Sequence, residues 1–234
     1  MLTLHLISIG AILGLLLLIH LLFRSRSKNG DDTGRYNLFS PGDSGEFAVA
    51  RQLRRLSDKY QVINDLMFNC GNGRTAQIDH VVISPFGIFV IETKNISGYV
   101  YGSEYAQKWT RYLRTWWYGV ERTNELSFYN PIRQNQVHIE ALQRALVQFG
   151  HVEPVSIIAF SPKAVLHVHA ERANIIYWSQ VRRFIRRFDV PVMSREEANR
   201  IYDYLRSINI KDKKTRKQHI TKQQERNCRR ASEG

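Results

Sequence analysis

The chain has 234 residues, 43% hydrophobic and 24% charged, with 34 Lys+Arg against 21 Asp+Glu and a net charge of +13. That length and apolar content support a buried core and exclude wholesale disorder. The two cysteines, Cys70 and Cys228, exclude a disulfide scaffold, and the basic excess directs attention to polyanions, either nucleic acid or an anionic membrane surface.

Residues 2–23 contain no Asp, Glu, Lys or Arg and are dominated by Leu and Ile. At about 1.5 Å per residue, a helix of this length spans roughly 33 Å, enough for a bilayer core. A cleaved signal peptide would carry its basic residues before the apolar run. Here Arg24, Arg26 and Lys28 follow it, so the expectation is an uncleaved anchor over 1–23. Its N-terminus would lie outside and the remainder of the chain in the cytoplasm. Residues 24–41 are polar and read as a flexible stem.

Asp43 to about Ser57 has helical periodicity through Phe47, Ala50, Leu53 and Leu56, with Asp43 as N-cap and Glu46 as its capping-box partner. Val62–Phe68 reads as a strand and Gly71–Arg74 as a turn. Two β-rich runs, Ala76–Ile83 and Ile88–Thr93, flank Ser84-Pro85-Phe86-Gly87, which suits a type I turn. Residues 99–129 are aromatic and irregular. Trp109, Trp116, Trp117 and Tyr118 lie there among Lys108, Arg111, Arg114 and Arg122. Packing of these rings over a sheet is the favoured reading, and stacking on single-stranded bases the rival.

Asn130-Pro131 opens a helix to about Phe149. Val155–Phe160 is a continuous apolar run, as expected for a strand covered on both faces. Short strands follow at Ala164–Val168 and Ile175–Trp178, then a helix capped by Ser179 and another capped by Ser194 with Glu197. His167 and His169 resemble a metal pair in spacing but have no accompanying ligand, and read as strand positions. From 211 the chain is a basic, solvated tail, expected to be disordered at least in part and able to contact anionic lipid or nucleic acid. Alternating strands and helices, with one antiparallel hairpin, predict a mixed α/β sandwich over 42–210.

The hairpin carries charge where apolar residues are expected: Asp79 in the first run, Glu92 and Lys94 in the second. If the Ser84–Gly87 turn closes without a bulge, Asp79 lies opposite Glu92 and Gln77 opposite Lys94. Cross-strand Cβ atoms would then be about 5 Å apart. Two carboxylates at that spacing repel unless a proton or cation sits between them, and a hard divalent ion is the natural occupant. Lys94 would serve a water beside it, as phosphodiester hydrolysis requires. For the bare pattern alone, which is loose, a surface salt bridge between Lys94 and either carboxylate is the favoured reading.

Gly45-Glu46, Gln77-Ile-Asp79-His-Val-Val-Ile-Ser84, Gly87-Ile-Phe-Val-Ile-Glu92-Thr-Lys94-Asn95, Gly98, Trp109 and Asn130-Pro131-x-x-Gln134 together resemble the NERD (nuclease-related) domain of the PD-(D/E)xK nuclease-like superfamily. The resemblance covers about residues 42–160, with 161–210 supplying strands and helices that complete the domain and 211–234 the tail. It implies an α/β fold with a restriction-endonuclease-like mixed sheet flanked by helices, here preceded by one transmembrane helix. It further implies a nuclease dependent on Mg²⁺, with Mn²⁺ as an alternative, acting on DNA or, as second choice, RNA. Carried over by position, Asp79 and Glu92 bind the metal and Lys94 positions the attacking water. Glu46 supports the metal or its water shell, and Gln134 sits beside the site. A tethered nucleic-acid-binding or scaffold module of the same fold, without turnover, is the alternative.

Overall fold

The computed structural model describes residues 41–216 apart from Asn72 and Gly119. The expected anchor at 1–23, the stem at 24–40 and the tail beyond 216 lie outside the described residues. Among the described residues no helix is long and apolar enough to cross a membrane.

Among the described residues nine strands form two sheets. The first has the order β1-β2-β3-β7-β9, with β1 Gln61–Asn69, β2 Thr75–Ser84, β3 Gly87–Lys94, β7 Val155–Phe160 and β9 Asn174–Tyr177. β1, β2 and β3 pair antiparallel, and β3–β7 and β7–β9 pair parallel. The second sheet has the order β6-β5-β4-β8: β4 Gly98–Ser103, β5 Lys108–Trp117, β6 Val120–Tyr129 and β8 Ala164–His169. The helices are α1 Pro41–Leu53, α2 Pro131–Ala145, α3 Val181–Ile185 and α4 Arg195–Ile208.

Helices cover both faces of the first sheet. On one face Ile139 and Leu142 of α2 and Ile201 and Leu205 of α4 pack on Leu66, Val81, Ile88 and Val90. On the other, Val49 and Leu53 of α1 and Val181 and Ile185 of α3 pack on Val82, Phe89, Ile91 and Ile157. This burial on both sides explains why β3 and β7 read as unbroken apolar runs. The second sheet joins through Val100, Trp109, Phe160 and Ala164. Trp109 stacks parallel to Phe160 with ring centroids 6.1 Å apart. Gly102 makes room for it, since a Cβ there would fall 2.4 Å from the indole.

Several expectations need correction. The region 99–129 is not irregular: it forms β4, β5 and β6, and no apolar alternation marked β6 because Glu121–Ser127 is exposed on both faces. Trp109 is buried as the packing reading requires, whereas Tyr118 is 92% exposed at the hairpin tip. The chain is already helical at Pro41, so Asp43 lies inside α1 rather than at its N-cap, and the capping-box role of Glu46 falls away. Lys211–Arg216, read as the start of a free tail, is folded against β1. There Asp212 accepts from the Thr215 amide at 2.7 Å and Arg216 donates to the Ile210 carbonyl at 2.7 Å.

Candidate active site

The Ser84–Gly87 turn closes without a bulge, and the β2–β3 ladder runs from Ser84↔Gly87 to His80↔Ile91. The expected register therefore holds. The ladder stops one pair short of Asp79 and Glu92, and here the strands part. Asp79 Oδ2 accepts the Thr93 amide at 2.8 Å, a carboxylate oxygen taking the place of a ladder carbonyl. The expected pairing of Gln77 with Lys94 does not form. Gln77 pairs instead with Met67 of β1, and its amide donates to Asp65 Oδ1 at 2.8 Å.

Alternation along β3 places Glu92 and Lys94 on the side of Ile88 and Val90, facing α2. Lys94 Nζ donates to Glu92 Oε1 at 2.7 Å and to Gln134 Oε1 at 2.9 Å. The structure thus brings three of the five expected residues into one hydrogen-bonded chain. One turn along α2 from Gln134 stands His138, which sequence reasoning missed. Its Nδ1 lies 3.4 Å from Glu92 Oε2, without the alignment of a hydrogen bond, and both atoms are buried with no hydrogen-bond partner. The i, i+4 spacing from Gln134 was the available signal.

α2 is fixed by residues that the sequence pattern included for no evident chemical reason. Asn130 caps the helix by accepting from the Ile132 amide at 2.9 Å. Its amide nitrogen donates to the Glu104 and Ala106 carbonyls at 3.0 and 2.7 Å. Asn135 is fully buried and donates to the Val90 carbonyl at 3.0 Å and Ser156 Oγ at 2.7 Å, which seats the helix over β3 and β7. Asn130 and Asn135 are therefore supports, and Gln134 and His138 are what they support.

On the opposite face α1 approaches β3 closely at Gly45. A Cβ there would lie 2.9 Å from Asn95 Cβ and 3.2 Å from Thr93 Cγ2. The next residue, Glu46, lies close enough to Asp79 for its negative charge to act on it.

These surroundings set opposite proton affinities for the two central carboxyls. Burial, then the negative charges of Glu92 and Glu46, push Asp79 well above the usual carboxylate range, against the Thr93 amide and Lys94, which pull it down. Burial also favours the neutral form of Glu92, but the Lys94 ammonium and then His138 outweigh it and hold Glu92 at about 2. His80, next to Asp79, is brought down to about 3 by burial. Its Nδ1 is 2.8 Å from Asn64 Oδ1, so it is a neutral structural histidine.

The charge pattern bears on metal binding. Glu92 Oε2 is buried without a hydrogen bond, with His138 Nδ1 3.4 Å away, and Asp79 bears a repulsion that a cation would relieve. Among the described residues no three His, Cys, Asp or Glu groups converge on one point. A donor set of one or two carboxylates fits a hard ion that retains several waters, as Mg²⁺ does; it does not fit a closed all-protein cage. Asp79 and Glu92 could hold such an ion.

A family model described as the nuclease-related domain matches residues 41–161. An uncharacterized protein of Bacillus anthracis is 35% identical over 183 residues, covering 76% of this chain and 82% of the relative. No solved structure matches the chain.

Proposed function

The chain belongs to the nuclease-related domain family, and on that footing we propose that it is a membrane-anchored, divalent-metal-dependent nuclease. It hydrolyses phosphodiester bonds in DNA, with RNA the second choice, and is tethered by residues 2–23 with its globular part in the cytoplasm. The observation that carries this reading is the chain Glu92–Lys94–Gln134, held at 2.7 and 2.9 Å beside the buried Glu92 Oε2, which has no hydrogen-bond partner. A surface salt bridge would not bury its carboxylate or recruit a helix residue to hold its lysine.

Asp79 and Glu92 would hold Mg²⁺ or Mn²⁺, which when bound polarises a phosphoryl oxygen and acidifies water. Lys94 commits two of its three N–H donors to Glu92 and Gln134. The third is left to orient the attacking water or to meet the charge that develops on phosphorus-bound oxygen. Gln134 acts through Lys94, since its carbonyl oxygen fixes the direction in which the ammonium points. The Thr93 amide holds the Asp79 carboxylate in place, and Glu46 adds negative charge that a bound cation would offset.

The test is cleavage of plasmid DNA, single-stranded DNA and RNA by the full chain in mild detergent, with and without Mg²⁺, beside Lys94→Ala and Glu92→Gln. Metal-dependent cutting reduced by about 10²–10⁴ in either variant is expected. Undiminished cutting by Lys94→Ala, or none by the wild type on any substrate, overturns the reading. Binding without cutting would identify the non-catalytic alternative.

A further inference from the structure

The first sheet contains a second irregularity, one strand beyond Asp79. Asp65 in β1 has φ +54°, a left-handed conformation that residues other than glycine seldom adopt inside a strand. The β1–β2 register sets Asn64 opposite His80 and Leu66 opposite Ile78, which places Asp65 across from Asp79, at the pair missing from the ladder. The side-chain alternation of both strands changes face at this point. Ile63 and Leu66 of β1 pack in the same core, as do Ile78 and Val81 of β2, although an uninterrupted pleat would send the members of each pair to opposite sides.

The C-terminal segment holds this break from outside. Arg216 donates from Nη1 to Asp65 Oδ2 at 2.5 Å, from Nη2 to the Asp65 carbonyl at 2.8 Å and to Asn209 Oδ1 at 3.3 Å, and from Nε to the Ile210 carbonyl at 2.7 Å. The Ile210 amide donates to the Met67 carbonyl at 2.7 Å, and Asn209 Oδ1 accepts the Met67 amide at 3.1 Å. The segment therefore covers the open edge of β1. The second Asp65 oxygen is taken by Gln77. A planar guanidinium can hold a carboxylate and its own residue's backbone carbonyl together, which a lysine ammonium does less well.

We propose that Arg216 is a positioning residue for the nuclease site: by holding Asp65 left-handed, it maintains the strand break that turns the Asp79 carboxylate to the Thr93 amide. This role rests on the reading of Asp79 as a site residue. A merely solvated basic tail would leave Arg216 in water, whereas four of its donor contacts close on one backbone irregularity and the residues beside it.

The experiment is amide exchange by NMR on the full chain in mild detergent without divalent ions. Arg216→Ala is expected to speed exchange at Thr93 at least tenfold while the other amides of the β3–β7 ladder stay protected, and Arg216→Lys to behave similarly. Adding Asp65→Gly to Arg216→Ala is expected to restore Thr93 protection to within about threefold of wild type, since glycine takes positive φ without steric cost. Three results would overturn the proposal: unchanged Thr93 exchange in Arg216→Ala, loss spread evenly over the sheet, or no recovery in the double variant. DNA cleavage is measured in parallel. A wild type that never cuts refutes the nuclease reading, while the exchange data still decide whether Arg216 positions Asp79.

Discussion

Asp79 and Thr93 are joined by a side chain where the sheet would otherwise supply a backbone partner: the Thr93 amide donates to Asp79 Oδ2 at 2.8 Å, just past the last ladder pair, His80↔Ile91. The parting of the strands and the placing of the carboxylate are thus one event. The opposite proton affinities of Asp79 and Glu92 follow from it, because one carboxyl faces like charges and the other faces Lys94.

Glu92, held at about 2 against an ordinary 4.5, stabilises the fold as its anion. That contribution is fully present above the unfolded value and disappears as pH falls from about 4.5 towards about 2. The Lys94 charge and His138 both lower Glu92. Lys94→Met and His138→Leu should therefore each move the acid limb of the stability–pH curve upward. Denaturant titrations between pH 2 and 7 measure both shifts, and an acid limb that stays in place in either variant contradicts this account.

Asp79 has the opposite sign. Its raised affinity for a proton favours folding below its unfolded value, and this advantage is lost as pH rises. Asp79→Asn keeps an oxygen for Thr93 and removes the repulsion from Glu92 and Glu46. The variant should melt higher than wild type in chelator, by roughly 2–4 °C for each kcal/mol relieved. Its advantage should be larger at pH 8 than at pH 5, and divalent ions should no longer stabilise it. Calorimetric melting across pH, with and without Mg²⁺, checks all three.

Gly45→Ala inserts a methyl group 2.9 Å from Asn95 Cβ and 3.0 Å from Trp178 Cζ2. Overpacking of this kind costs about 1–3 kcal/mol, partly offset by about 1 kcal/mol of gained helix propensity. The net expectation is a modest loss of stability together with a larger loss of cleavage, because α1 carries Glu46 away from Asp79. Melting and cleavage measured on one preparation would reveal the disproportion; a fall in stability alone would count against a functional role for this close approach.

Asn135→Ala leaves the Val90 carbonyl and Ser156 Oγ without their helix donor. The expected loss is about 1–3 kcal/mol, read as the change in denaturation midpoint. A variant with wild-type stability would show that apolar packing alone seats α2.

The sequence by itself determined the strands and helices with strong periodicity, the place of the Ser84–Gly87 turn, and the charges misplaced in an apolar hairpin, while the turn's closing without a bulge came from the structure. Local patterns suffice for these, because side-chain alternation and turn chemistry act over a few residues. The family pattern identified Glu46 and Gln134, which no local rule would have joined to the hairpin. The second sheet was hidden, since a strand exposed on both faces, as β6 is from Glu121 to Ser127, lacks the alternation of a strand with one wet and one buried face. His138, the break at Asp65 and the docking of Arg216 were decided only by tertiary structure. Glu92 and His138 are separated by β4, β5, β6 and the first part of α2, and Asp65 and Arg216 by 151 positions. Charge assignment shows the same division: composition places +6 of the +13 in residues 211–234, but only the fold reveals that one of those charges, Arg216, is spent on β1.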